Sequence, residues 1–312
     1  MKPTADIRHH RLNLANGIDL HCAACGAPDA PLMLFVHGFP EFWYCWKDML
    51  AEFGRDHHAV AFDLRGHNLS SGPAEVAAYR IKPLLEDLRL LIEALTAGHS
   101  EHRCTLVAHD WGGAIAWTFA ALFPQYVERL VIINAPHSVP FARALAHDPA
   151  QQAASDYFLH FRTDTAEREL AADGYRRLFA MMRDDAGNCV LDDEDRARYV
   201  EAWSRPGALS AALNLYRASP LHPPAHGAPG AAELHLDAAS LTVRRPTLVV
   251  WGMQDTALLP VLLDGLDQVV TDLTVVRIPD AGHWIVHQRP NAVIEAIRGR
   301  FGLPTPTPNS NY

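Results

Sequence analysis

Long apolar runs, cysteine and surplus positive charge are all scarce in this sequence, and each shortage argues against a class of protein. No apolar run approaches the ~20 residues that a membrane-spanning helix needs, and the amino terminus lacks the apolar stretch of a secretion signal. The five cysteines are odd in number, which does not suggest a disulfide framework. We therefore expect a cytoplasmic protein with reduced cysteines and no membrane partner.

Basic side chains are also too few for a nucleic-acid partner. Lys and Arg number 27 against 36 Asp and Glu, so the net charge is -9, whereas nucleic-acid binding needs a basic patch. The 18 histidines form no tight ligand cluster, and the pair Cys22 and Cys25 has no second pair at zinc-like spacing. The sequence thus predicts no nucleic-acid partner, no bound metal and no cofactor.

What the sequence does contain is an alternation of short apolar runs with helical patterns. Apolar residues make up 49% of the 312 residues, enough for a large core in one domain or in one domain with an insertion. The predicted strands are 8–14, 18–23, 32–37, 58–62, 104–108, 130–134, 247–251 and 274–278. This alternation predicts an α/β fold with a mostly parallel sheet and helices on both of its faces.

One region breaks the alternation. Between about residues 136 and 221 the sequence carries helical patterns, at 151–162, 166–182 and 193–203, without strands. Residues 220–230, rich in Pro, Gly and His, are typical of a return linker. We predict that 1–135 and 231–312 form the two parts of the core and that 136–230 form a helical cap and its return linker.

The most informative segment is Ala108–Gly112, which joins a predicted strand to a predicted helix at 113–123. Small residues stand two positions before and two after its central residue, as in the sharp turn called a nucleophile elbow. The central residue is Asp110 rather than serine or cysteine. Because a carboxylate that attacks saturated carbon leaves an ester, this residue predicts opening of an epoxide or displacement of a halide.

Further reactive side chains follow other predicted strands, at the sheet edge where ligands bind in open α/β folds. The segment 37–41, His-Gly-Phe-Pro-Glu, follows the strand at 32–37, whereas Asp255 and His283 follow the last two strands. The chain order of nucleophile, acid and histidine is that of the α/β-hydrolase fold. Asn134 follows the strand at 130–134 but is neutral, which favours Asp255 as the acid.

Together these motifs make the chain resemble the epoxide hydrolases of the α/β-hydrolase fold, whose aspartate-nucleophile branch also includes the haloalkane dehalogenases. The motifs that carry the resemblance are 37–41 with Trp43 and Trp46, 63–67 with Ser70, 109–113, 251–255 and 282–284. The resemblance implies an α/β-hydrolase fold with an inserted helical cap. It also implies an enzyme that opens a small apolar epoxide to a vicinal diol through a covalent hydroxyalkyl ester.

The roles of the residues follow the chemistry of such an ester. Asp110 would attack the epoxide carbon, and neutral His283 would deprotonate the water that cleaves the ester. Asp255 would accept the other ring N–H of His283. The backbone N–H groups of Phe39 and Trp111 would form the oxyanion hole, and the side chains of both residues would contact the substrate.

The resemblance also implies two cap tyrosines that hydrogen-bond the epoxide oxygen. Tyr216 lies in a segment, 213–217, that resembles the motif of the second tyrosine. His160 stands where the first is expected, and a histidine can donate the same hydrogen bond. Tyr157 is the alternative donor and a further candidate for substrate contact.

Two other functions remain open from the sequence. A haloalkane dehalogenase would use the same aspartate with Trp111 and a second N–H donor, for which Trp203 is the cap candidate. A binding protein without catalysis is the second alternative, although every triad member is present. The sequence leaves the oligomeric state open, with a homodimer as one alternative.

Overall fold

The computed structural model describes residues 6–184, 186–225 and 227–304. Its eight strands are β1 (Arg8–Asn13), β2 (Asp19–Cys25), β3 (Leu32–Val36), β4 (His58–Phe62), β5 (Cys104–His109), β6 (Val127–Ile133), β7 (Thr247–Gly252) and β8 (Leu273–Ile278). They form one sheet in the order β1-β2-β4-β3-β5-β6-β7-β8. Within it β2 pairs antiparallel with β1 and β4, and the other neighbouring strands pair in parallel. The predicted mostly parallel sheet is confirmed.

Helices alternate with these strands. They are α1 (Lys47–Phe53), α2 (Ile81–Leu95), α3 (Asp110–Leu122), α4 (Ser138–His147), α5 (Pro149–Ala154), α6 (Tyr157–Phe161), α7 (Ala166–Met181), α8 (Asp193–Trp203), α9 (Ala208–Ala218), α10 (Ile285–Gln288) and α11 (Pro290–Phe301). Among the described residues, none of these helices combines the length and apolar character needed to cross a membrane.

The central strands are apolar because both of their faces are covered. Every residue of β3, β4, β5 and β7 is buried. Side chains of α1 and α11 pack on one face, and those of α2 and α3 pack on the other. Strands that are buried on both faces have continuous apolar sequences, which is why the predicted bounds of these strands lie close to the observed ones.

The stretch between β6 and β7 contains the helices α4 to α9 and, in its described residues, no strand. The predicted helix at 151–162 is two helices, α5 and α6, because the chain turns at Ser155 and Asp156. That break contains neither glycine nor proline, so the apolar pattern runs through it. Helix α7 is interrupted at Asp173, Gly174 and Tyr175, whose positive φ angles place them in the left-handed region.

Candidate active site

Asp110 occupies a strained turn between β5 and α3. Its φ of +51° lies in the left-handed region, which costs about 1–3 kcal/mol for a residue with a side chain. The glycines after it allow the helix to pass close to the sheet. A Cβ atom at Gly112 would lie 2.3 Å from the Val36 carbonyl oxygen, and one at Gly113 would lie 2.2 Å from the Ala135 Cβ. The close packing of α3 against these neighbours thus fixes the turn that carries the Asp110 carboxylate.

One carboxylate oxygen of Asp110 already occupies a hydrogen-bonding site. The Phe39 main-chain N–H donates to Oδ1 over 2.7 Å. Gly38 allows this approach, because a Cβ atom there would lie 2.3 Å from the same oxygen. Trp111 is the second residue of α3, so its N–H belongs to the first turn, whose N–H groups have no partner within the helix. The other oxygen, Oδ2, lies 3.6 Å from His283 Nε2.

His283 is held by Asp255. Its Nδ1 lies 2.8 Å from Asp255 Oδ2, and the carboxylate is 2% exposed. Asn134 donates to Oδ2 over 2.7 Å, and the main-chain N–H groups of Ala257 and Leu258 donate to Oδ1 over 2.9 and 2.8 Å. An ionised carboxylate has no hydrogen to donate, so His283 Nδ1–H donates to Asp255. The other ring nitrogen, Nε2, points toward Asp110.

Burial opposes ionisation of Asp255, but the charge and hydrogen bond of His283, together with the donors from Leu258 and Asn134, lower the pKa of its carboxyl group. For His283 burial again opposes the charged form, and here the negative charges of Asp255, Asp110 and Glu41 outweigh it. They raise the pKa of His283 to about 9. This pKa favours an imidazolium in the resting site at neutral pH, whereas the neutral imidazole expected from the sequence acts in the later cleavage of the ester.

Two tyrosines face the nucleophile. Tyr216 lies on α9 and is 2% exposed, and Tyr157 begins α6. Their ring centroids are 6.0 Å apart, and the ring of Trp111 lies 4.9 Å from that of Tyr216, edge to face. Burial and the negative charge of Asp110 raise the pKa of both tyrosines well above the usual value. Both phenols are therefore protonated and able to donate.

The motif favours His160 as the partner of Tyr216, but the structure does not place His160 next to Tyr216. The inner face of α6 is formed by Tyr157, Phe158 and Phe161, whose rings all lie within 6.0 Å of the Tyr216 ring. His160 lies off the centre of that face, with its Nε2 3.3 Å from Glu169 Oε2 and its side chain 36% exposed. Tyr157, not His160, is the neighbour of Tyr216.

Two cavities meet at the nucleophile. The Trp111 cavity, of about 660 Å³, is lined mostly by apolar side chains of α3, α4, α9 and neighbouring loops. The His283 cavity, of about 550 Å³, has a more polar wall that includes Gln254, Thr256 and His160. Asp110 and Tyr157 line both cavities. Each volume falls within the range typical of small-molecule sites.

Sequence reasoning missed a buried polar group behind the site. Glu41, the last residue of the motif at 37–41, is fully buried, and its Oε2 lies 3.1 Å from His109 Nδ1. His109 Nε2 lies 2.9 Å from the main-chain carbonyl oxygen of His283, and His287 Nε2 lies 2.5 Å from Glu41 Oε1. Both nitrogens of His109 thus lie within hydrogen-bonding distance of an oxygen atom.

This hydrogen-bonded cluster holds the catalytic loop at its backbone, through the carbonyl oxygen of His283. Burial opposes ionisation of Glu41, but hydrogen bonds from His109 and His287 outweigh it and hold the pKa of the carboxyl group well below its usual range. Tyr199 of α8 also donates to Oε1, over 3.2 Å. The sequence signal was available, since His109 directly precedes Asp110 and Glu41 ends a quoted motif. Only the fold brings the two side chains together, from positions 68 residues apart.

Trp203 does not reach the nucleophile with its indole N–H. That group donates to the Pro40 main-chain carbonyl oxygen over 2.6 Å, so it is already engaged between α8 and the loop after β3. In the part of the chain that the structure describes, no group of three or more His, Cys, Asp or Glu side chains could hold a metal ion. All five cysteines are free thiols.

Comparison with known proteins gives consistent matches over nearly the whole chain. The profile of a family described as alpha/beta hydrolase fold matches residues 31–290. An AB hydrolase superfamily protein, YfhM of Bacillus subtilis (strain 168), is 35% identical over 289 residues, which cover 90% of this chain and 94% of that protein. Epoxide hydrolase 4 of Homo sapiens is 33% identical over 296 residues, covering 90% of this chain and 75% of that protein. The crystal structure of an epoxide hydrolase of Bacillus megaterium in complex with an inhibitor has a TM-score of 0.83 and 33% identity, and covers 94% of this chain and 100% of its own.

Proposed function

The chain belongs to the alpha/beta hydrolase fold family, and we propose that it is an epoxide hydrolase that converts an epoxide to a vicinal diol through a covalent ester of Asp110. The observation that carries the proposal is the elbow carboxylate. It lies between a His–Asp pair on one side and the phenols of Tyr157 and Tyr216 on the other. Relatives named epoxide hydrolases support the same activity.

In the first step Asp110 Oδ2, which is free of the Phe39 N–H, attacks an epoxide carbon. The carbon–oxygen bond of the ring breaks, and the epoxide oxygen keeps its electron pair and takes a proton from Tyr157 or Tyr216. Positioned acids of this kind typically contribute about 10²–10⁴-fold in rate. The product of the step is a neutral hydroxyalkyl ester.

In the second step water attacks Cγ of Asp110 as His283 Nε2 removes its proton. The developing oxyanion is Oδ1, which already accepts the Phe39 N–H. The main-chain N–H groups of Phe39 and Trp111 together form the proposed oxyanion hole. Each such donor typically stabilises the transition state by about 3 kcal/mol. The bond between Cγ and Oδ2 then breaks, and the diol departs with an oxygen atom that belonged to Asp110. Of the two protons of the water, one ends on this leaving oxygen and the other stays on His283, while Asp110 is again a carboxylate.

Ester formation also prepares His283 for its role. The negative charge of Asp110 is one of the influences that raise the pKa of His283 to about 9. Once that carboxylate is esterified its charge is gone, and the pKa of His283 falls toward the range of a working general base. The imidazolium of the resting site can then release its proton, which restores the phenol that gave up its proton in the first step, and the resulting imidazole can activate water.

Haloalkane dehalogenation is less well supported by the same geometry. Halide release requires N–H donors, but the indole N–H of Trp203 already donates to the main-chain carbonyl oxygen of Pro40. Two neutral phenols beside Asp110 suit an epoxide oxygen, which must gain a proton. A binding role without catalysis is also disfavoured, because His283 is hydrogen-bonded to Asp255 and its other ring nitrogen lies 3.6 Å from Asp110.

The remaining parts of the proposal concern the surroundings of the site. Residues 136–230 act as the cap, since α6 and α9 bring Tyr157 and Tyr216 to Asp110. The substrate has an apolar body that fits the Trp111 cavity, and the reaction uses neither a metal nor a cofactor. We place the protein in the cytoplasm, in keeping with its five free thiols, without nucleic-acid or membrane partners, and leave a homodimer as an expectation.

A single turnover in water enriched in ¹⁸O tests the mechanism. Enzyme in excess over styrene oxide should form diol without label, and mass spectrometry of peptides should find the ¹⁸O in the Asp110 side chain. Label in the diol after one turnover would show that water attacks the epoxide directly, and the ester proposal would be wrong.

A further inference from the structure

Arg162 introduces an unpaired positive charge into the wall of the Trp111 cavity. Its Nη1 donates to the main-chain carbonyl oxygens of Tyr216 and Ser219, the latter over 2.9 Å. Among the described residues no carboxylate forms a salt bridge with it, and burial lowers the pKa of its guanidinium with no acidic neighbour opposing this. Arginine stays charged in proteins, so the cavity holds a cation that the protein does not neutralise.

The neighbouring charges make this placement unusual. Arg80 and Arg217 also line the cavity, whereas its only lining carboxylate among the described residues is the nucleophile Asp110. Arg217 is neutralised by Glu167, at 2.6 Å, but Arg80 is exposed and pairs with no described acid. A protein with a net charge of -9 thus gathers positive charge at one cavity.

Capping of α9 accounts for only part of the guanidinium. The two carbonyl groups that it contacts lie at the carboxyl end of that helix, where the helix dipole supplies about half a negative charge. Both contacts are made by Nη1. Nε and Nη2 therefore remain to form the planar, two-pronged pair with a carboxylate for which arginine is suited.

We propose that Arg162, assisted by Arg80, binds a carboxylate at the far end of the epoxide substrate. The substrate would then be an epoxide with an apolar body and an anionic tail. Arg162 contacts the main chain of Tyr216, whose phenol faces Asp110, so the tail must span about the length of a tyrosine side chain from the reacting carbon. This inference rests on the proposed function and specifies the substrate class of that site.

The test compares matched substrates in which an aryl epoxide carries a carboxylate on a tether of increasing length, each alongside its methyl ester. We expect wild-type kcat/KM to favour the acid over the ester by at least about tenfold at one tether length, as hydrogen bonds to charged groups allow. Arg162→Met should abolish that preference while turnover of the esters and of styrene oxide persists. Arg80→Met should reduce it partially.

Two variants control for charge and structure. Arg176→Met removes an equal charge from α7, where the side chain is 77% exposed, and should keep the preference. Arg162→Lys should retain much of it. If Arg162→Met lowers the melting temperature yet leaves the acid-to-ester ratio unchanged, the residue only caps α9 and the proposal is wrong.

A binding measurement separates this proposal from the proposed function. Calorimetry with the carboxylate-bearing diol and its methyl ester needs no turnover. Tighter binding of the acid that Arg162→Met removes would support the anion site even if no epoxide were hydrolysed. Equal binding of acid and ester to the wild-type protein would overturn it, whereas turnover of styrene oxide alone decides the hydrolase activity.

Discussion

Three side chains are candidates for the acid that protonates the epoxide oxygen. Tyr157 and Tyr216 lie together at Asp110, whereas His160 lies beside Glu169. Sequence reasoning placed His160 at the position of an expected tyrosine. In a short helix, a small error in such an alignment changes which side chain is expected to face inward. The contacts of α6 with Tyr216 settle which of its side chains is adjacent, and they leave the catalytic roles to experiment.

Replacing each donor in turn tests these roles. We expect Tyr157→Phe and Tyr216→Phe each to slow alkylation of Asp110 by about 100-fold or more, because a positioned acid is lost. His160→Gln should leave that rate nearly unchanged. Rapid-quench mass spectrometry of the ester measures the step directly. A His160→Gln defect as large as that of the tyrosine variants would return the role to His160.

The charge of Asp110 controls the proton affinity of His283. Asp110→Asn resembles the ester in being neutral, so it should lower the pKa of His283 from about 9. Titration of the imidazole by NMR in the wild-type and variant proteins measures the change. An unchanged pKa would mean that Asp255 and Glu41 set the value without Asp110, and that ester formation does not release the base.

The same reasoning fixes a pH dependence. Cleavage of the ester needs neutral His283, so its rate should rise with pH through the lowered pKa of the esterified enzyme and then level off. Pre-steady-state measurement of ester decay between pH 5 and 9 tests this. A rate that falls with rising pH would contradict the role of His283 as the base.

The loop after β3, the end of β5 and helix α10 are joined by one buried cluster. Glu41, His109 and His287 come from these three elements, and His109 holds the carbonyl group of His283. We infer that Glu41 positions the catalytic histidine without touching the substrate.

Glu41→Gln should leave a buried ring nitrogen of His109 or His287 without an acceptor, because only one side-chain oxygen remains. An unsatisfied buried donor typically costs about 1–3 kcal/mol. Urea unfolding measures the loss of stability. Ester decay should slow more than ester formation, because His283 acts in the second step, whereas a purely structural role would change both alike. His109→Gln added to Glu41→Gln should recover part of the stability, since it removes one of the two ring donors that compete for the remaining oxygen.

Sequence patterns predicted the strands better than the inserted helices. Strands such as β4 are buried on both faces, so a run of apolar residues marks them from end to end. The helices α4 and α9 were not predicted, although both carry apolar faces. The turn at Ser155 contains neither glycine nor proline, so no local pattern marked it.

For the molecule as a whole, the order of motifs along the chain was enough to indicate the fold and the triad. Parallel strands bring their carboxyl ends to one edge, so Asp110, Asp255 and His283 could be assigned to one site before any distance was known. The buried partner Glu41, the tyrosine pair and the cation in the Trp111 cavity depend on how distant segments pack. Tyr157 and Tyr216 were already candidates in the sequence, but the contacts that these residues make were visible only in the folded chain.

The central claim is that catalysis passes through an ester of Asp110, and trapping that ester is the most direct test. His283→Asn lacks the base for the second step and should accumulate the ester when exposed to an aryl epoxide. We predict that the intact mass rises by the whole mass of the epoxide and that peptide mapping locates the addition on Asp110. A protein mass that stays unchanged while the wild type hydrolyses the same epoxide would contradict the account.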